Sequence, residues 1–121
     1  MTTFEQLYHP TTDPDEALGP LLRKLHRELQ RMPIDLPTLR AAIITVLEFL
    51  VSPRGRTDSN CRAVDSFLMH DETWDGDRLP EQYVGVLSDM GGALHDTIIA
   101  PDIAANFEST PEQLLERARR L

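Results

Sequence analysis

Apolar residues recur along the chain at the three- and four-residue spacing of helices, and strand-like alternation is absent. Leu21, Leu22, Leu25, Leu29 and Met32 share one face, with Arg23, Lys24, Arg27 and Arg31 opposite. Asp13–Pro14 with acids behind it reads as a helix start, and Gly19–Pro20 interrupts it. The first helix is therefore kinked or begins at Pro20, and Pro33 stops it. Asp35 caps a second helix over 36–51, where Leu39, Ile43, Val46, Leu47 and Leu50 form the main stripe. Ala42, Ile44, Phe49 and Val51 widen that stripe nearly all round, which predicts a central, surrounded helix. Pro53 and Gly55 break the chain. Thr57 caps a third helix running to about His70, with Cys61, Val64, Phe67 and Leu68 inward.

A fourth helix is predicted from Pro80 to about Ile99, ended by Pro101, and Ile103 and Phe107 suggest a further turn or two. Thr110, Pro111 and Gln113 carry a capping-box start for the last helix. Its inner stripe is Leu114, Ala118 and Leu121, with Arg117, Arg119 and Arg120 at the negative end of its dipole. The pattern predicts an all-α, bundle-like single domain of about five helices over 13–121, preceded by an N-terminal arm over 1–12.

The fourth helix holds "DMGGALHDT", Asp89 to Thr97. At about 100° per residue, Val84, Leu87, Gly91, Leu94 and Ile98 share a core face, and Gly85, Ser88 and Gly92 fall beside it. Glycine inside a helix costs about 0.5–1 kcal/mol relative to alanine, so three of them need a reason. The expectation is a smooth groove at Gly85, Ser88 and Gly92 where another helix approaches closely; the alternative is a groove left open for a ligand or partner. His95 is placed at the boundary, and Asp89 and Asp96 outward.

Composition narrows the function classes. The 121 residues carry a net charge of −8, which disfavours nucleic acid and anionic membranes and suits a basic partner. No apolar run is long enough to span a bilayer, and the N-terminus lacks a signal-peptide pattern, so a cytoplasmic location is expected. Cys61 is the single cysteine, which removes internal disulfides and cysteine-rich zinc sites and, on this helix face, predicts a buried, inert thiol. Arginine outnumbers lysine eleven to one, a bias associated with GC-rich bacterial genomes.

Two His–Asp pairs, His70–Asp71 and His95–Asp96, resemble in part the His…His–Asp…Asp pattern of HD-domain metal phosphohydrolases. The resemblance implies His70 as the first ligand, His95–Asp96 as the pair and Asp102 as the last. The chain departs from it because that family's final Asp lies far downstream, whereas only 25 residues follow Asp96. "DETWDGDRLPEQ", from Asp71 to Gln82, partly resembles an EF-hand loop at Asp71, Thr73, Asp75 and Gly76, but Arg78 and Gln82 break that pattern. Arg54, Arg56 and Thr57 stand at a helix start, where an anion could bind. No nucleophile motif surrounds Cys61, Ser66 or Ser88.

The remaining constellation is acidic. Asp71, Glu72, Asp75, Asp77 and Glu81 fall within eleven residues, with Trp74 among them and Tyr83 after. Carboxylates around aromatic anchors suit a binder of a basic protein surface. The sequence thus points to a non-enzymatic protein–protein interaction module without a cofactor, a small acidic inhibitor or immunity-type protein that binds a basic partner. The alternative is a small helical metal-dependent hydrolase using His70, His95 and Asp96.

Overall fold

The computed structural model describes residues 2–121, and the described residues are helical without strands. The long helices are α2 (Leu18–Gln30), α3 (Leu36–Val51), α4 (Asp58–Met69), α5 (Glu81–Ala93) and α8 (Pro111–Arg119). Short helices α1 (Phe4–Leu7), α6 (Asp96–Ile99) and α7 (Pro101–Asn106) fill the joins. The long helices pair in the order α2–α3–α8–α5–α4, so the two ends of the layer come from neighbours in sequence and its middle from the C-terminus. The all-helical class follows the apolar spacing; four of the long helices are those it predicts, and α5 is a shortened form of the fourth.

Local boundaries follow cap chemistry. Thr57 accepts from the Asn60 N–H, and Thr110 and Gln113 form the reciprocal capping box. α2 begins two residues before Pro20, which sits in the first turn where its missing N–H removes no helical bond. α3 buries Leu39, Ile43, Val46, Leu47 and Leu50 completely. It is not surrounded, however: Ala41, Thr45 and Glu48 leave one strip in water. α2 and α8 are the long helices it packs against, which leaves that strip uncovered.

Met1 lies outside the described residues, and two side chains of the segment read as an arm, Phe4 and Leu7, join the core. Thr3 and Gln6 form a capping box that fixes α1 and turns Phe4 and Leu7 inward. Phe4 meets the edge of Phe67 at 5.5 Å and the ring of His26 at 6.1 Å. His26 is buried among these rings, and its Nε2 has no hydrogen-bond partner among the described residues.

Burial holds the His26 pKa below its ordinary value. The native state thus disfavours the proton that the unfolded chain accepts near pH 6.5. Its contribution is fully present above that pH and is lost as pH falls toward the lower native pKa. Unfolding midpoints measured from pH 8 to 5 should fall more steeply for the wild type than for His26→Phe. Equal slopes would show that His26 stays as free to protonate as in the unfolded chain.

The long fourth helix of the sequence pattern does not form. Helical geometry is lost at Gly91 (φ −95°, ψ 63°) and Gly92 (φ 157°, ψ −16°), and α6 and α7 follow as separate turns. The expected contact groove is correspondingly absent. Ser88 and Gly92 are exposed, a Cβ on Gly92 would meet nothing within 4 Å, and one on Gly85 would meet only the Arg117 side chain at 3.6 Å. The close approach is made by Gly91, where a Cβ would stand 2.8 Å from the Leu68 carbonyl carbon. A face assigned from a continuous 100° rotation shifts once the chain breaks.

Candidate functional site

The acidic stretch between α4 and α5 is a fastened loop. The Thr73 hydroxyl is buried and donates to the Phe67 carbonyl at 2.7 Å. The Trp74 indole N–H donates to the Leu68 carbonyl at 3.0 Å, and the Gln30 amide donates to the Thr73 carbonyl at 2.9 Å. Asp75 accepts from the Asp77 N–H at 2.9 Å and starts a single 3-10 turn, Gly76–Arg78. Tyr83 is buried and its hydroxyl donates to the Leu36 carbonyl at 3.2 Å. Tyr83 and the half-buried Trp74 therefore hold the loop in place and are not free aromatic anchors.

Its carboxylates face solvent, although Asp75 accepts the Asp77 N–H and Glu72 accepts the Thr2 hydroxyl. Asp71, Glu72, Asp75, Asp77 and Glu81 are exposed, and among the described residues none is in an ion pair. Elsewhere Glu5, Asp15, Asp58, Asp89, Glu112 and Glu116 each meet an arginine. The nearest cation in sequence, Arg78, turns its guanidinium to the main-chain carbonyls of Leu29 and Arg31. Asp71, Glu72, Trp74 and Asp75 line a cleft of about 480 Å³ whose wall includes Arg78. Arg78 also borders an apolar cleft of about 610 Å³ formed by Met32, Pro33, Ile34 and Leu36. Met32 there is 86% exposed.

The His–Asp pairs do not converge. His70 is exposed and its Nδ1 accepts the Glu72 N–H at 3.3 Å. His95 is held instead by Asp65, a residue the sequence reading left unassigned. The Asp65 carboxylate is buried; its Oδ2 lies 2.7 Å from His95 Nδ1 and accepts the His95 backbone N–H at 3.3 Å. His95 Nε2 lies 3.0 Å from Asp96. Both ring nitrogens thus face carboxylates, and the ring ties the chain after the glycine break to α4. Asp102 is exposed on α7, and among the described residues no three His, Cys, Asp or Glu side chains form a metal-holding group.

Other sequence-stated chemistry is accounted for by local structure. Thr73, the second ligand position of the EF-hand-like stretch, spends its hydroxyl on Phe67. Arg54 grips Asp15 through two hydrogen bonds of 2.7 and 2.8 Å, Arg56 pairs with Glu112, and Thr57 caps α4, so the helix start has its own anions. Cys61 is fully buried, and burial pushes its thiol up to about 11, which keeps it a thiol at neutral pH.

A second surface lies after the glycine break. α6 and α7 rest on the core through small or polar residues: Thr97, Ala104 and Ser109 are buried. Their large apolar residues point outward, with Ile98 42%, Ile99 60%, Ile103 52% and Phe107 73% exposed. This inverts the usual amphipathic arrangement. A Schellman motif closes α7, with the Ser109 N–H bonded to the Ala104 carbonyl and the Glu108 N–H to that of Ala105. Glu108 occupies the left-handed position at φ 54°, where glycine is usual and a side chain costs about 1–2 kcal/mol. The signal in the sequence was the pair of breaks at Gly91–Gly92 and Pro101, which confine Ile98, Ile99, Ile103 and Phe107 to short helical pieces.

No family model matches the chain, and neither the curated proteins nor the solved structures give a match.

Proposed function

We propose that the protein is a non-enzymatic protein–protein interaction module, a small acidic inhibitor or immunity-type protein that binds a basic partner. The observation that carries this reading is the segregation of charge. Most arginines are committed to local carboxylates or carbonyls, while the 71–81 stretch keeps five carboxylates free of cationic partners among the described residues. Such an arrangement focuses negative potential at one place and speeds encounter with a positively charged surface. The adjoining apolar cleft around Met32 gives the same face something to desolvate. No helix among the described residues is long and apolar enough to cross a membrane.

Affinity purification from the native host supplies the partner, and stopped-flow mixing then tests the loop. Asp75→Lys/Asp77→Lys should slow association by about tenfold at low salt, with little change at high salt, because steering is screened beyond a Debye length of about 8 Å at physiological ionic strength. Both side chains are exposed, but Asp75 caps the Gly76–Arg78 turn, so stability should fall by no more than the loss of that one cap, about 1 kcal/mol. Identical association rates for variant and wild type at low salt would remove the loop from the interface.

A further inference from the structure

We infer that the α6–α7 ridge anchors a protein partner whose apolar surface is bordered by lysine and arginine. This rests on the proposed function and names the contact that holds the partner once charge has brought it near. Ile99, Ile103 and Phe107 are all more than half exposed, on a segment whose buried residues are Thr97, Ala104 and Ser109. Large apolar side chains held outward from a seat of small ones mark an interaction surface. Ile103 and Phe107 are four residues apart, at the end of α7 that the left-handed Glu108 closes. Phe107 supplies the kind of large, exposed side chain that dominates binding energy when it enters a pocket.

Charge selects the occupant. Asp102 and Glu108 flank the apolar residues and are exposed, and neither carboxylate is in an ion pair among the described residues, while the Glu108 carbonyl accepts the Arg117 guanidinium at 3.2 Å. A second copy would bring the same carboxylates and another net charge of −8 to the interface. A surface with a cationic rim meets both the apolar centre and its acidic border. The ridge and the acidic loop are also mounted on the same stretch of α4. Asp65 holds His95 just before α6, and the Leu68 carbonyl holds Trp74 while Gly91 packs against it.

The test uses the full chain and a fluorescein-labelled amphipathic helical peptide of leucine and lysine, with a counterpart carrying glutamine for lysine. By fluorescence anisotropy the wild type should bind the lysine peptide about tenfold more tightly than the glutamine one, and Ile103→Ser/Phe107→Ser should lose about tenfold in affinity for the lysine peptide. Circular dichroism melting should show the exposed-site variant as stable as the wild type. Unchanged affinity in Ile103→Ser/Phe107→Ser, with loss in Asp75→Lys/Asp77→Lys, would overturn the ridge and leave the acidic-module reading standing. A wild type that binds both peptides equally would overturn that reading itself. A concentration-dependent dimer in sedimentation, abolished by Phe107→Ser, would assign the ridge to a second copy and overturn the basic partner.

Discussion

Gly55→Ala is expected to destabilise the protein by about 3 kcal/mol, at the top of the usual overpacking range. A Cβ at Gly55 would stand 1.8 Å from the Phe49 carbonyl oxygen and 2.6 Å from its carbon. Those are backbone atoms at the last turn of α3, so no rotamer change relieves the clash. The same carbonyl accepts the Ser52 N–H at 3.1 Å and the Ser52 hydroxyl at 2.6 Å, which closes the helix end. The Gly55 carbonyl in turn accepts the Asn60 amide at 3.0 Å, and Asn60 accepts the Asp15 N–H at 2.8 Å. Moving the turn therefore disturbs the end of α3, the start of α4 and the approach to α2 together. Urea denaturation should show a lower midpoint with an unchanged slope. Ser52→Ala, which removes one capping hydroxyl and adds no clash, should cost about 1 kcal/mol. A Gly55→Ala protein as stable as the wild type would mean that α3 and the turn separate freely.

What could be read in advance follows from which forces act locally. The stripes of α2, α3 and α8 and the caps at Thr57 and Thr110 depend on near neighbours, and these elements stand where the pattern puts them, except that Met32 falls beyond the end of α2 and is exposed. Cys61 falls in line with Val64 and Leu68 and is buried with them. Groups whose partners come from other elements were not legible. Asp65 carries no mark of a role on α4 until His95, thirty residues later, is brought against it. Glu28 sits among arginines on the polar side of α2, yet its side chain is fully buried, 3.3 Å from Lys24 and 3.0 Å from Arg31. Phe4 and Leu7 lie in a segment too short for a periodic signal, and only tertiary contact shows that they are core.

The candidate surface divides in the same way. The carboxylates of the 71–81 loop are exposed, as a local reading of charge suggests, but Trp74 and Tyr83 are used in packing. Aromatic residues beside an acidic run carry no sequence mark that separates an anchor from a fastener. The ridge was hidden because its exposure follows from a backbone break. In an unbroken helix Leu94 and Ile98 would share a core face; here Leu94 is fully buried and Ile98 is not.

That break gives the second large effect, because the two adjacent glycines fail for different reasons when replaced. Gly91→Ala should destabilise by about 2–3 kcal/mol through contact: its Cβ would stand 2.8 Å from the Leu68 carbonyl carbon and 2.9 Å from the Leu68 oxygen and Cβ. Gly92→Ala meets no neighbour within 4 Å, yet its φ of +157° is a conformation that side chains rarely adopt. Strain there should cost about 1–3 kcal/mol. Neither change should be rescued by alanine's better helix propensity, since the chain at this point is not helical. The two mechanisms separate on a second substitution. Leu68→Ala keeps the Cβ and main-chain atoms that a Gly91 Cβ would meet, so Gly91→Ala should stay costly in that background. Gly92→Asn should be no milder than Gly92→Ala, because asparagine's tolerance of positive φ belongs to the left-handed region near about +60° and does not extend to +157°. Thermal melts of the set would show this order directly. If Gly92→Ala instead raised the melting temperature, α5 would run on through residue 92, Ile98 would turn back toward the core, and the outward ridge would lose its structural basis.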